Sequence, residues 1–278
     1  MKQIYDKVSS DFSRMVTRAY STSFSLSINF LQRKFHNPIY AIYGFVRISD
    51  EIVDSFHEYN KRDLLQKLRN DTKEAIAQKI SINPVLNSFQ WAVHKYNIEW
   101  ELIDTFLNSM EMDLEQRQYD AKSYNQYILG SAEVVGLMCL RVFTENDEKL
   151  YETLKPFAMK LGAAFQKVNF LRDLKDDYQG LGRTYFPEVD FKSFTSTEKE
   201  KIQEEIESDF KSALIGIKKL PASSKRGVYL AYYYYRKLFR KIKNTPPEKV
   251  MNTRIRIPDY IKLGIMFKCM IRTQTNFL

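Results

Sequence analysis

The chain, 1–278, reads as a single all-α domain, and three observations predict this class. Only 9 Gly and 8 Pro occur in 278 residues, too few breakers for many short strands and turns. Apolar residues recur at three and four positions, as in Ile39, Ile42, Tyr43, Val46 and Val53, while alternating runs are almost absent. No Gly/Ser linker, low-complexity tract or internal repeat divides the chain, and its length is ample for one sizeable core.

Taken in order, the periodicity predicts helices over 12–31, 38–58 and 62–79. A break at Asn83-Pro84 precedes a helix over 84–95. Helices over 99–119 and 123–142 follow, and then a long one over 147–177 that stops before the break between Gly180 and Pro187. Two more cover 195–219 and 222–243, Thr245-Pro246-Pro247 interrupts, and a last helix covers 257–274.

Composition narrows the function classes. With 44% hydrophobic and 28% charged residues, the chain is globular. Cys139 and Cys269 lie far apart and form no CxxC pair, which argues against a disulfide framework or structural zinc and for a reducing, cytoplasmic setting. The first residues, Met1-Lys2-Gln3-Ile4-Tyr5-Asp6-Lys7, show no apolar signal-peptide region, and no stretch of about 18 apolar residues is expected to span a membrane. The net charge of +9 is concentrated after Pro221, where 13 Lys+Arg meet 2 Asp+Glu. Those cations alternate with Tyr232, Tyr233, Tyr234, Tyr235, Leu238, Phe239 and Ile242 at helical spacing, so a solvated amphipathic face explains most of them. No recognition motif accompanies the charge, and nucleic acid is not an expected partner.

Two acidic constellations carry the chemistry. In Arg47-Ile48-Ser49-Asp50-Glu51-Ile52-Val53-Asp54, the residues Asp50 and Asp54 are four apart and share one helix face, about 6 Å apart along the axis. Ile42, Tyr43, Val46 and Val53 turn much of that surface inward, so the two like charges repel and lose hydration. A divalent cation between them would offset both costs. In Gln166-Lys167-Val168-Asn169-Phe170-Leu171-Arg172-Asp173-Leu174-Lys175-Asp176-Asp177, the residues Asn169, Asp173 and Asp177 follow an i, i+4, i+8 course with Gln166 one turn earlier. This polar stripe lies among Ala163, Ala164, Phe165, Val168, Phe170 and Leu171 and asks for a partner, which the first pair would supply. Each motif has its own arginine, Arg47 or Arg172. The oxygen-only donors suit magnesium rather than zinc. His36, His57 and His94 lie outside both motifs and read as surface or packing residues.

With these residues in place the chain resembles the squalene/phytoene synthases over nearly its whole length. Tyr20-Ser21-Thr22-Ser23-Phe24 is similar to the family's N-terminal motif lining a diphosphate site, with Tyr20 where a His is usual. Tyr43 to Asp54 resembles the first aspartate-rich motif, with Glu51 where a third Asp is common. Tyr127-Ile128-Leu129-Gly130-Ser131-Ala132-Glu133-Val134-Val135-Gly136 is similar to its small-residue helix. Gln166 to Asp177 matches the second aspartate-rich motif, Arg183-Thr184-Tyr185-Phe186-Pro187 resembles the flap after it, and Tyr235 and Arg254 fall where late diphosphate contacts occur.

The resemblance implies an isoprenoid-synthase-type helical bundle with a central active-site cavity. It also implies head-to-head (1′–1) condensation of two allylic diphosphates in carotenoid biosynthesis. Asp50, Asp54, Asn169, Asp173 and Asp177 are then the expected ligands of magnesium, or of manganese in its place, neutralising the diphosphate as its C–O bond breaks. Arg47 and Arg172, with Arg254, add fixed charge and bidentate phosphate contacts. Ser21, Ser23, Phe24, Tyr43, Gln166, Asn169, Tyr185, Tyr235 and Arg254 are the expected substrate contacts. Phe24, Tyr43, Phe165 and Val135 are candidates for a water-excluding lining, and each also reads as plain core packing. The small residues Gly130, Ser131, Ala132 and Gly136 make room for a prenyl chain or for close helix packing.

Overall likeness favours geranylgeranyl diphosphate as substrate, giving phytoene through prephytoene diphosphate without NADPH. The nearest rival is farnesyl diphosphate, giving dehydrosqualene or squalene. A remoter rival is a non-catalytic helical assembly or lipid-binding protein of the same fold. The basic C-terminal third also suggests peripheral contact with an anionic membrane at the inner face of the cell membrane.

Overall fold

A computed structural model of the chain describes residues 1–115, 118–187, 189, 194–258, 262 and 264, with backbone alone at 179 and 181. Twelve α-helices are found among the described residues: α1 (Lys2–Tyr20), α2 (Thr22–Asn29), α3 (His36–Asp54), α4 (Lys61–Gln78), α5 (Pro84–Tyr96), α6 (Trp100–Glu115), α7 (Ala121–Ile128), α8 (Val134–Thr144), α9 (Glu148–Lys175), α10 (Ser196–Lys219), α11 (Ala222–Lys243) and α12 (Pro247–Asn252). The described residues form no strand beyond one isolated bridge, Gln118 to Thr184. The all-α single domain expected from the sequence is the architecture found.

The departures from the expected helices have local causes. The predicted 12–31 helix is two helices that meet at Ser21, whose backbone is extended (φ −146°, ψ 101°). The Ser21 hydroxyl accepts from Phe24 N at 3.2 Å, so a side-chain cap breaks the helix without Gly or Pro. Helix α1 also starts well before residue 12, because its inward stripe is Ser9, Ser13 and Thr17 rather than apolar residues. The predicted 123–142 helix holds a π-helical turn, Leu129–Glu133, between α7 and α8. The predicted 147–177 helix is α9 followed by a second π-helical turn, Asp176–Leu181. Helix α12 was not expected. Of the predicted 257–274 helix, only 257, 258, 262 and 264 are described.

Ala121–Thr144 is, against expectation, long and apolar enough by composition to cross a membrane. Yet 67% of its most apolar window is buried, as for a core helix.

Two apolar clusters form the interior. One joins α2 to α6, α8 and the first turns of α9 around Phe35, Phe45, Phe89 and Phe106. The other joins α7, the rest of α9, α10, α11 and α12 around Leu171, Phe210 and Leu238. Helix α9 passes through both, so the face it turns to the seam is what positions the site. That closeness depends on Gly162, where an added Cβ would stand 2.5 Å from the Ala132 carbonyl oxygen.

Candidate active site

A cavity of about 280 Å³ occupies the seam between the clusters. Its walls come from α2, α3, the first π-turn, α8, α9, α10 and α11, and they are mostly apolar. All four residues named as candidate lining, Phe24, Tyr43, Phe165 and Val135, face it. Phe24 stacks on Tyr43 at 5.0 Å between centroids, and Phe165 stacks on Tyr235 at 3.9 Å, so two stacked ring pairs line the cavity. Ser131, Ala132 and Gly136 also line it. Gly130 does not, because it packs beside Ser109 and the Thr105 carbonyl.

Polar residues gather at one end. Gln166 and Asn169 enter the cavity from α9, and Tyr235 Oη donates to Asn169 Oδ1 at 3.2 Å. Asp173 follows one turn later, and Asp177 lies in the π-turn that extends α9. From α3 come Asp50 and Asp54, near the end of a helix buried along Ile42, Phe45, Ser49, Ile52 and Val53. The two acidic motifs meet: the Asp177 carboxyl is pushed up to about 8 by burial and by the charges of Asp173 and Asp54. Burial, followed by Asp54, likewise pushes Asp50 up to about 8.

Arginines occupy part of this cluster. Arg183 Nη1 donates to Asp54 Oδ1 at 2.8 Å, joining residues 129 positions apart. Arg172 Nε donates to Asp173 Oδ1 at 2.9 Å, and Arg254 Nε pairs with that oxygen at 2.8 Å. Arg47 instead pairs with Glu51 and lies 4.2 Å from the ring centre of Tyr20. Its charge also reaches Asp50, where it opposes the upward push of burial.

The N-terminal motif reaches the same end. Ser21 caps α2, and burial pushes the pKa of nearby Tyr43 up to about 12. Ser23 is half-buried on the first turn of α2.

Tyr185, expected as a substrate contact, is buried beside Asp177 and Arg183, stacked on Phe170 at 4.0 Å and donating to Asp113 Oδ1 at 3.2 Å. Asp113 itself was missed. It is buried on α6, where Tyr127 Oη donates to it at 2.6 Å and Tyr119 Oη at 3.2 Å. Arg183 Nη2 donates to its backbone oxygen at 3.0 Å, and Arg183 Nη1 lies 3.8 Å from Oδ1. Burial pushes the Asp113 carboxyl up to about 6 against the pull of Arg183. This buried group holds Arg183 where it can reach Asp54. The one sequence signal was an Asp four positions after Ser109 and three after Met110, on the inward face of α6.

The donor set fits a hard divalent cation. Asp50 and Asp177 are carboxylates forced toward their protonated form by burial and by like charge, and a cation between the motifs would relieve both. Among the described residues, no three carboxylate, imidazole or thiol groups stand close enough to hold an ion unaided. Magnesium commonly takes only one or two carboxylates and completes its shell with water and phosphate oxygens.

A family model described as squalene/phytoene synthase matches residues 17–260. The chain is 26% identical to a 4,4′-diapophytoene synthase of Staphylococcus haemolyticus, over 71% of this chain and 67% of that protein. It is 28% identical to a presqualene diphosphate synthase of Rhodopseudomonas palustris, over 61% and 59%. It is 24% identical to a phytoene synthase of Arthrospira platensis, over 91% and 89%. In fold, it superposes on a crystal structure of a dehydrosqualene synthase with a TM-score of 0.82, covering 98% of this chain and 99% of that one, at 19% identity.

Proposed function

Since the chain belongs to the squalene/phytoene synthase family of prenyltransferases, we propose that it joins two geranylgeranyl diphosphates head-to-head to give phytoene, through prephytoene diphosphate. The observation that carries this reading is the meeting of the two carboxylate pairs one helical turn beyond Asn169, which lines an apolar cavity. The C20 substrate is supported by the phytoene synthase of Arthrospira platensis, whose alignment takes in most of both chains.

Asp50, Asp54, Asn169, Asp173 and Asp177 would hold magnesium. The bound ion supplies Lewis-acid neutralisation of the diphosphate leaving group. Arg172 and Arg254, already at the cluster, take phosphate oxygens in bidentate fashion as the C–O bond breaks. Phe24, Tyr43, Phe165 and Val135 keep water from the allylic cation while the second substrate's double bond attacks it. Loss of a proton closes the cyclopropane ring, and the cyclopropyl diphosphate so formed then loses its own diphosphate, rearranges and gives up a second proton. Gln166 and Tyr235 orient Asn169 and the chain entrance. NADPH is not required, because no hydride is added.

A second reading, the same steps on farnesyl diphosphate, is favoured by the diapophytoene synthase relative. Purified protein with magnesium and either diphosphate, with and without NADPH, separates the two by the hydrocarbon formed. Phytoene from the C20 substrate alone is expected, and a C30 product formed faster than phytoene would replace the first reading by the second. Asp50→Ala and Asp173→Ala should each lower product formation at least about 100-fold. Undiminished turnover in either variant would remove that aspartate from the proposed metal site.

A further inference from the structure

Helix α1 is mounted inside out. Its buried stripe is Ser9, Ser13 and Thr17, while Ile4, Val8, Phe12 and Met15 are 67%, 52%, 38% and 59% exposed. The inward contacts are polar: Ser13 Oγ to Ser88 Oγ at 2.6 Å, and Asn87 Nδ2 to Asp6 Oδ1 at 3.1 Å and to Ser9 Oγ at 3.2 Å. An amphipathic helix that only covers a core turns its apolar stripe the other way. The four outward residues are spaced i, i+4, i+8, i+11 and so lie within about 80° of one another around the helix. Tyr5 Oη donates to Ser81 O at 2.7 Å, which brings Ile82, 99% exposed, beside the first turns of the same helix.

Lys7, Arg14 and Arg18 run along one flank of the stripe, all exposed, with Asp11 the single acid among them. An apolar ridge edged by cations complements a planar surface with negative headgroups and acyl chains beneath. By contrast, the basic helix α11 buries its apolar residues Leu238, Phe239 and Ile242, leaving charge without an apolar ridge.

We propose that α1 is a membrane-docking element that lays Ile4, Val8, Phe12 and Met15, with Ile82, into the interface of an anionic lipid bilayer. Lys7, Arg14 and Arg18 meet the lipid phosphates. This docking is independent of the substrate assigned above.

The test is co-sedimentation of the full chain with vesicles of phosphatidylcholine alone or mixed with phosphatidylglycerol, together with light scattering and a thermal melt. Binding to the mixed vesicles is expected, weakened at least about tenfold by V8S/F12S and by K7E/R18E, with both variants melting as the parent does. No binding by the parent, or equal binding by the variants, overturns the proposal. So does a parent dimer that V8S/F12S turns into a monomer without vesicle binding, which assigns the ridge to a second copy. A markedly lower melting temperature for V8S/F12S also overturns it, since the ridge would then be covered within the fold.

Discussion

Asp113 shows what a single buried carboxylate does in this molecule. Three tyrosine hydroxyls and the Arg183 guanidinium converge on it, and Arg183 in turn holds Asp54. Asp113→Ala should cost about 3 kcal/mol in urea unfolding, because a buried guanidinium loses one of its counter-charges. Asp113→Asn keeps the shape and an acceptor, so it should cost only about 1–2 kcal/mol while still lowering kcat through a misplaced Arg183. Equal kcat in Asp113→Asn and parent would confine Asp113 to stability. Asp50 and Asp177 give a pH prediction of definite sign. Both carboxyls are raised to about 8 in the folded chain, so in metal-free protein their contribution is fully present below the unfolded carboxylate range near pH 4. It is lost as pH rises through about 8. The melting temperature of the metal-free protein should therefore fall between about pH 4 and pH 8, and Asp50→Asn should flatten that fall.

At the scale of the helix, Ser21 decides where α1 ends and α2 begins. Ser21→Ala removes the cap on Phe24 N and should cost about 1 kcal/mol in thermal unfolding. Its larger effect is expected on KM, because Phe24 and Tyr43 share one wall of the cavity. Gly162 makes the complementary case. Gly162→Val would drive side-chain atoms into the Ala132 carbonyl and should cost about 1–3 kcal/mol, read by urea unfolding. These are also the places where periodicity stopped being informative. Long apolar repeats such as those of α3 and α9 announced themselves, since core burial and helix repeat coincide there. The break at Ser21 did not, because its cause is one hydroxyl. The true start of α1 was hidden as well, because Ser9, Ser13 and Thr17 carry no apolar signal.

Across the whole molecule, the site is made where two apolar clusters meet along α9. The carboxylate pairs were legible in the sequence because i, i+4 spacing fixes a helix face without knowledge of the partner helix. Their meeting followed from chemistry, as each pair needed a counterpart. What no spacing could reveal were contacts made only by the assembled bundle: Arg183 on Asp54 across 129 positions, and Tyr185 on Asp113 across 72. The cavity wall offers a volume prediction at this scale. Cys139 lines it from α8, and Cys139→Phe should fill part of the 280 Å³ and shift product from longer to shorter prenyl chains, read by hydrocarbon analysis. Unchanged chain length would place the substrate away from α8.

The guanidinium groups resting on Asp54 and Asp173 bear on how the centre is loaded. A lone Mg²⁺ arriving there meets resident cations and must compete with them for the same carboxylate oxygens. Mg²⁺ arriving already bound to pyrophosphate brings oxygens on which Arg172 and Arg254 can settle. Titration calorimetry should accordingly record feeble uptake of the ion alone and at least about tenfold tighter uptake once inorganic pyrophosphate is present.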